Sequence, residues 1–237
     1  MRRAAVLLAC ALLPAITVAR EPALIALDDA QSAAFAARLE DAVAARLRLL
    51  PAADAPLQQA AARCASQITA LRVSACRDAH PRIIGLPGGR VFVSTGLLAA
   101  AESDAELVSA IAHEAGHVQR EDLLDRLTKA YGVARLAGIA SGTQRDVLAG
   151  MAANIAAGGL MTRHGGLSED GAEDAARRAG CEGGLARILA RAASQGRTRR
   201  NDRQAHPLPA TARAFPGALD GGVELLQRVR EAAGPLP

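Results

Sequence analysis

The spacing of apolar positions divides the chain into helical stretches around one short β-rich segment. Between Asp28 and Leu50, Phe35, Leu39, Val43 and Leu47 recur at the interval that puts side chains on one helix face. An Asp opens that stretch and Pro51 stops it. A second helix is predicted from Ala55 to Leu71. The pattern then changes in "RIIGLPGGRVFVSTGLL", where Ile83-Ile84 and Val91-Phe92-Val93 flank a Pro-Gly-Gly turn. Two short strands joined by that turn are predicted. Helical periodicity then returns. Ser103, followed three residues on by Glu106, predicts a capping box that starts the helix running through "SAIAHEAGHV". Further helices are predicted at 121–140, 144–160, 169–179, 183–195 and 220–233. The fold class expected is α+β, mostly α, without internal repeats.

Composition sharpens this picture in few places. The 237 residues suffice for one mid-sized domain, and half of them are apolar. With three Phe, one Tyr and no Trp, the core is expected to be helical and packed with Ala, Leu and Val. The net charge of +4 is a weak argument for any polyanionic partner. Arg197, Arg199, Arg200 and Arg203 gather in the polar stretch "SQGRTRRNDRQAHPLPA", but Asp202 interrupts them and no aromatic interleaves. A solvated surface loop is expected there, and no nucleic-acid partner.

The first nineteen residues read as a removable signal peptide: Arg2 and Arg3, a short apolar run, and small residues ending at Ala19. Cys10 comes too early for a lipoprotein attachment site. The apolar stretch "VLAGMAANIAAGGLM" is fifteen residues long, too short to span a bilayer. An exported, periplasmic protein without a transmembrane span is expected, with peripheral membrane contact left open and residues 20–237 as its single domain. Cys64, Cys76 and Cys181 remain after residue 19. Cys64 with Cys76 would close a short local loop, leaving Cys181 over; three buried thiols are the alternative.

The candidate chemistry sits in "AHEAGHVQRED", residues 112–122. On a helix, His113 and His117 lie one turn apart on one face and can point at one ion. Glu114 is rotated aside, where its carboxylate can take the proton of a water activated at that ion. The plain alternative is a helix with two half-buried histidines bonded to neighbouring acids.

The segment before this helix adds a family. Pro87-Gly88-Gly89, then Val91-Phe92-Val93, then Gly96-Leu97-Leu98, then Glu106-Leu107 ahead of the His pair resembles the HtpX-like and CAAX-prenyl-protease-like zinc metallopeptidases. The resemblance runs from about residue 30 to 230 and is sharpest across 83–120. It implies a compact gluzincin-type domain, one Zn2+ per chain, and polypeptide substrates held along an edge strand, here 90–94. It also implies that the His206-Pro207 segment, with Arg213, lies close to the catalytic centre, where His206 would act in transition-state stabilisation or occupy the site at rest.

The family's third ligand is a glutamate on a later helix, and here the sequence leaves alternatives open. One register of "MTRHGGLSEDGAEDAARRAGCEGG" puts Gly166 in the ligand slot. A second makes Glu169 the ligand and leaves Glu173, one turn on, to hydrogen-bond a ligand histidine. A third makes Glu173 the ligand. "SEDGAED" also reads as an acidic helix start. The function implied is a zinc metalloendopeptidase acting on extended or misfolded envelope proteins, with Glu114 as base and His113, His117 and Glu169 on the metal. A non-catalytic peptide-binding relative on the same fold is the alternative.

Overall fold

The computed structural model describes residues 26–159, 166–181, 183–196 and 222–237. The expected signal peptide, the His206-Pro207 segment and Arg213 lie outside the described residues.

The first helix, α1 (Asp29–Ala44), starts at Asp28, whose side chain accepts from Gln31 N while the Gln31 side chain accepts from Asp28 N. It ends well short of Leu50, because residues 48–50 are drawn into the sheet. α2 (Asp54–Arg63) follows and is also shorter than its periodicity suggests. Directly past its predicted end at Leu71 comes β1 (Arg72–Cys76), a strand that sequence reading misses. Its alternation rests on Val73 and Ala75 alone, too few and too small to register. β2 (Ile83–Leu86) and β3 (Arg90–Ser94) are the hairpin expected around Pro87-Gly88-Gly89, where both glycines take a φ of 85°.

The sheet order is β1-β3-β2, with β1 parallel and β2 antiparallel to β3. The strand at 90–94 is therefore central, and the expectation that it forms the substrate-binding edge is corrected. The newly found β1 occupies its other side. The outer edge of β1 is itself closed. Gln58 accepts from Val73 N and donates to the Leu71 carbonyl, and Leu50 N donates to the Ala75 carbonyl. β2 is the edge that lies on the side of the histidine-bearing helix.

Side chains alternate across the sheet as the strand repeat requires. Val73, Ala75, Ile83, Val91 and Val93 join a core with α2 and the long helix α4 (Asp104–Gln119). Ile84, Leu86 and Phe92 face a second core with α1, α5 (Asp122–Tyr131), α6 (Val133–Ala140) and α7 (Arg145–Ala156). The helix predicted at 121–140 is thus two helices, broken at Gly132 with φ 81°. A short α3 (Thr95–Ala100) links β3 to α4. Beyond it, α8 (Gly166–Arg178), α9 (Gly184–Ser194) and α10 (Glu224–Ala233) complete the described helices. Among the described residues no helix is long and apolar enough to cross a membrane.

α4 is the axis of the molecule, with every residue from Asp104 to His117 buried. Ser103 caps it, accepting from Glu106 N at 3.2 Å. The reciprocal half of the expected capping box is absent: the Glu106 carboxylate accepts from Glu102 N and from the Arg191 guanidinium on α9. Asp104 in turn accepts from Leu225 N and Leu226 N at the start of α10.

The cysteines pair differently from the local loop considered. Cys64, at the end of α2, is bonded to Cys181, just past α8, and Cys76 is the free, buried thiol. Cys76 belongs to β1, so the strand carries it away from Cys64. Burial pushes its thiol up to about 11.

Candidate metal centre

Close approaches bring α8 and the start of α9 onto α4. Gly116 faces the backbone of Ala172, where an added Cβ would lie 2.7 Å from both its Cα and its carbonyl oxygen. Gly184 N donates to Ser109 Oγ at 2.7 Å, which ties the start of α9 to the same helix. With the helices in near-backbone contact, Glu169 and Glu173 reach the histidine face of α4.

Glu169 lies across both imidazoles. Its Oε2 is 3.3 Å from His113 Nε2 and its Oε1 is 3.3 Å from His117 Nε2. The two Nε2 atoms are 3.2 Å apart. All three residues are buried, and they form a group able to hold a metal ion. A tetrahedral zinc with bonds of about 2.0–2.1 Å keeps its ligand atoms about 3.3 Å apart. Two imidazole nitrogens and a carboxylate at this spacing fit that ion.

The far nitrogen of each ring is also held. His113 Nδ1 lies 2.9 Å from Glu173 Oε2, and His117 Nδ1 lies 2.8 Å from Asp122 Oδ2. With Nδ1–H donated to a carboxylate, the Nε2 lone pair is the one presented inward. Burial alone would pull the His113 imidazole down, but hydrogen bonds and charge from Glu169 and Glu173 override it and push it up to about 9. His117 behaves alike: burial opposes its proton, and Asp122 and Glu169 restore it, leaving it above the usual range. Burial would raise Glu173 and Asp122, yet their imidazole partners hold both below the usual carboxylate range. A metal entering here displaces protons, as expected when neutral imidazoles become ligands.

Glu114 stands beside the group and not in it. Its buried carboxylate accepts from Gly85 N, on β2, at 2.5 Å. A small, largely apolar recess opens next to His117, lined by Gly85, Leu86, Pro87 and Leu124 among others.

Of the residues singled out in the sequence, His113, His117 and Glu169 are brought together, Glu114 lies at their edge, and Glu173 goes to the outer nitrogen of His113. Gly166 opens α8, nearly one turn before Glu169. Asp122 was not singled out. Its role depends on the turn after α4, where Glu121 adopts a left-handed conformation with φ 57° and swings the chain back toward His117. An acid five residues beyond the second histidine was the only available signal.

Residues 47–169 match the model of peptidase family M48, which covers more than half of the chain. A comparison with curated proteins finds no match.

Proposed function

The chain belongs to peptidase family M48, and from that premise we propose that it is a zinc-dependent endopeptidase. His113, His117 and Glu169 hold one Zn2+ per chain, and Glu114 is the general base. The observation that carries this reading is the mutual spacing of the two Nε2 atoms and the Glu169 carboxylate, 3.2–3.3 Å on every side. When bound, zinc supplies Lewis acidity that polarises a peptide carbonyl and acidifies the attacking water. Glu114 accepts that proton on its carboxylate and returns it to the leaving amine. The Gly85 N–H holds one Glu114 oxygen in place meanwhile, and Glu173 and Asp122 fix the ring orientations.

The substrate of this reading is polypeptide in extended form. It adds to the β2 edge, beside Glu114, and a side chain enters the apolar recess next to His117. His206, with Arg213, is assigned to the neighbourhood of the reacting carbonyl on the family resemblance. Export to the periplasm and action on misfolded envelope proteins follow from the apolar start of the chain and the same resemblance.

The test is cleavage of a denatured, fluorescently labelled protein by the zinc-loaded chain. Cleavage is expected, with loss on chelation and recovery on adding zinc. Glu114→Gln is expected to keep its zinc while kcat falls about 10²–10⁴-fold. Wild-type protein that takes up zinc and binds extended peptide but cuts none would replace the enzyme with a peptide-binding module.

A further inference from the structure

The helix that carries Glu169 and Glu173 lies close against α4 but buries little apolar side-chain surface there. Its buried apolar face consists of Ala172, Ala175 and Ala176. Alanines remove little surface from water, so at roughly 25 cal/mol per Å² this face contributes little to holding α8 on α4. The two carboxylates buried on the same helix depend on their partners staying in place. The Cys64–Cys181 bond is a covalent tie at its far end.

That tie continues to the metal group through hydrogen bonds. After α8, Gly180 turns the chain with φ 75° and Cys181 N donates back to the Ala176 carbonyl at 2.9 Å. Gly183, two residues past Cys181, takes φ 78°, a conformation open to glycine, and its N–H donates to Glu173 Oε1 at 2.6 Å. The other oxygen of Glu173 is the one on His113 Nδ1, at 2.9 Å. Glu173 is thus gripped between a metal-facing imidazole and the backbone that the disulfide anchors. Cys64 ends α2, which packs on α4, so both ends of the path rest on the same helix.

We infer that the Cys64–Cys181 disulfide is a positioning element of the metal centre. It fixes the Gly183 N–H against Glu173, and through Glu173 it fixes the His113 ring. This rests on the metal reading of the site. Its consequence is that zinc affinity depends on a bond that includes no ligand: the oxidised chain holds the ion more tightly than the chain without the bond.

The test is a double-mutant cycle on zinc affinity, read by competition with a chromophoric chelator, with the absorption spectrum of the cobalt-substituted protein as a second readout. Cys64→Ala/Cys181→Ala is expected to bind zinc about tenfold more weakly than wild type, the lower end of the range for lost support behind a ligand. In a Glu173→Ala background, removing the disulfide is expected to cost no further affinity, since the path is already cut. Folding is checked by circular dichroism. Should the double variant not fold, Cys64→Ala alone removes the bond while leaving the Cys181 side chain in place. Affinity unchanged without the bond, or an equal loss in both backgrounds, would overturn the inference while leaving the metal reading intact. Wild-type protein with no zinc affinity would sink both.

Discussion

Asp122 shows how much a single residue outside the candidate metal group is asked to do. Its carboxylate is the partner of His117 Nδ1 at 2.8 Å, and it reaches that place through the left-handed Glu121. Removing the carboxylate takes away the acceptor that sets the tautomer of the ring, leaving only the longer contact of Nδ1 with Ser168 Oγ at 3.4 Å on that side among those described. Asp122→Ala is expected to weaken zinc binding about 10–100-fold with helix content unchanged, measured by chelator competition and circular dichroism. Asp122→Asn, which keeps a hydrogen-bonding oxygen, is expected to fall between the two. At this scale the sequence was most explicit. The i, i+4 histidines and the glutamate between them are local helix geometry, so their arrangement can be read without knowing the fold. Glu169 and Glu173 were legible only as two candidates. Both lie on one face of α8, one turn apart, and periodicity cannot say which approaches Nε2 and which approaches Nδ1.

Among the elements, the crossing of α4 and α8 decides whether the carboxylates reach the histidines. Gly116 sits at its closest point, against the Ala172 backbone, and that backbone has no side chain to move aside. Gly116→Ala is expected to cost about 1–3 kcal/mol of stability by overpacking, and to weaken zinc binding along with it. Denaturant unfolding of the metal-free protein and a zinc titration read the two effects separately. The crossing of α4 with α9 adds a charge pair to its packing and to the Gly184–Ser109 hydrogen bond. Both Glu106 oxygens meet the Arg191 guanidinium, at 2.8 and 2.9 Å. Burial would raise the Glu106 carboxyl, but Arg191 outweighs it and the group is held below its usual value. A depressed carboxyl stabilises the fold above the unfolded-state pKa and loses that contribution as pH falls through the folded one. Glu106→Gln is therefore expected to be less stable than wild type at neutral pH, by about 1–3 kcal/mol. The gap should narrow as the pH is lowered into the acid range, followed by thermal melts across a pH series.

For the molecule as a whole, the disulfide joins residues 117 positions apart, so it constrains much of the unfolded chain. Removing it is expected to cost about 2–5 kcal/mol, seen as a lower midpoint in denaturant. Zinc should raise the melting temperature in proportion to the logarithm of its free concentration, because the two histidines and Glu169 converge only in the folded state. Chelation should reverse the shift, and His113→Ala should abolish it. The closed edge of β1 leaves β2 as the edge beside the candidate base. The sequence pointed to a strand of this hairpin but chose its inner member, because β1, with only Val73 and Ala75 to mark its alternation, went unassigned.

What the sequence determined by itself were features whose physics is local. These are the periodicity of most helices, the Pro-Gly-Gly hairpin, the cap at Ser103, and the His113–Glu114–His117 constellation on one helix face. What only the tertiary structure decided were relations between distant segments. Glu169 lies on the two imidazoles, Asp122 and Glu173 lie behind them, β2 forms the outer edge near Glu114, and Cys64 pairs with Cys181 instead of Cys76. The reason is common to all of them. A short-range pattern fixes which way a side chain points from its own helix or strand, but which partner it meets depends on how distant segments are brought together. For Glu169 and Glu173 that was a glycine facing a backbone, and for Asp122 a left-handed turn at Glu121.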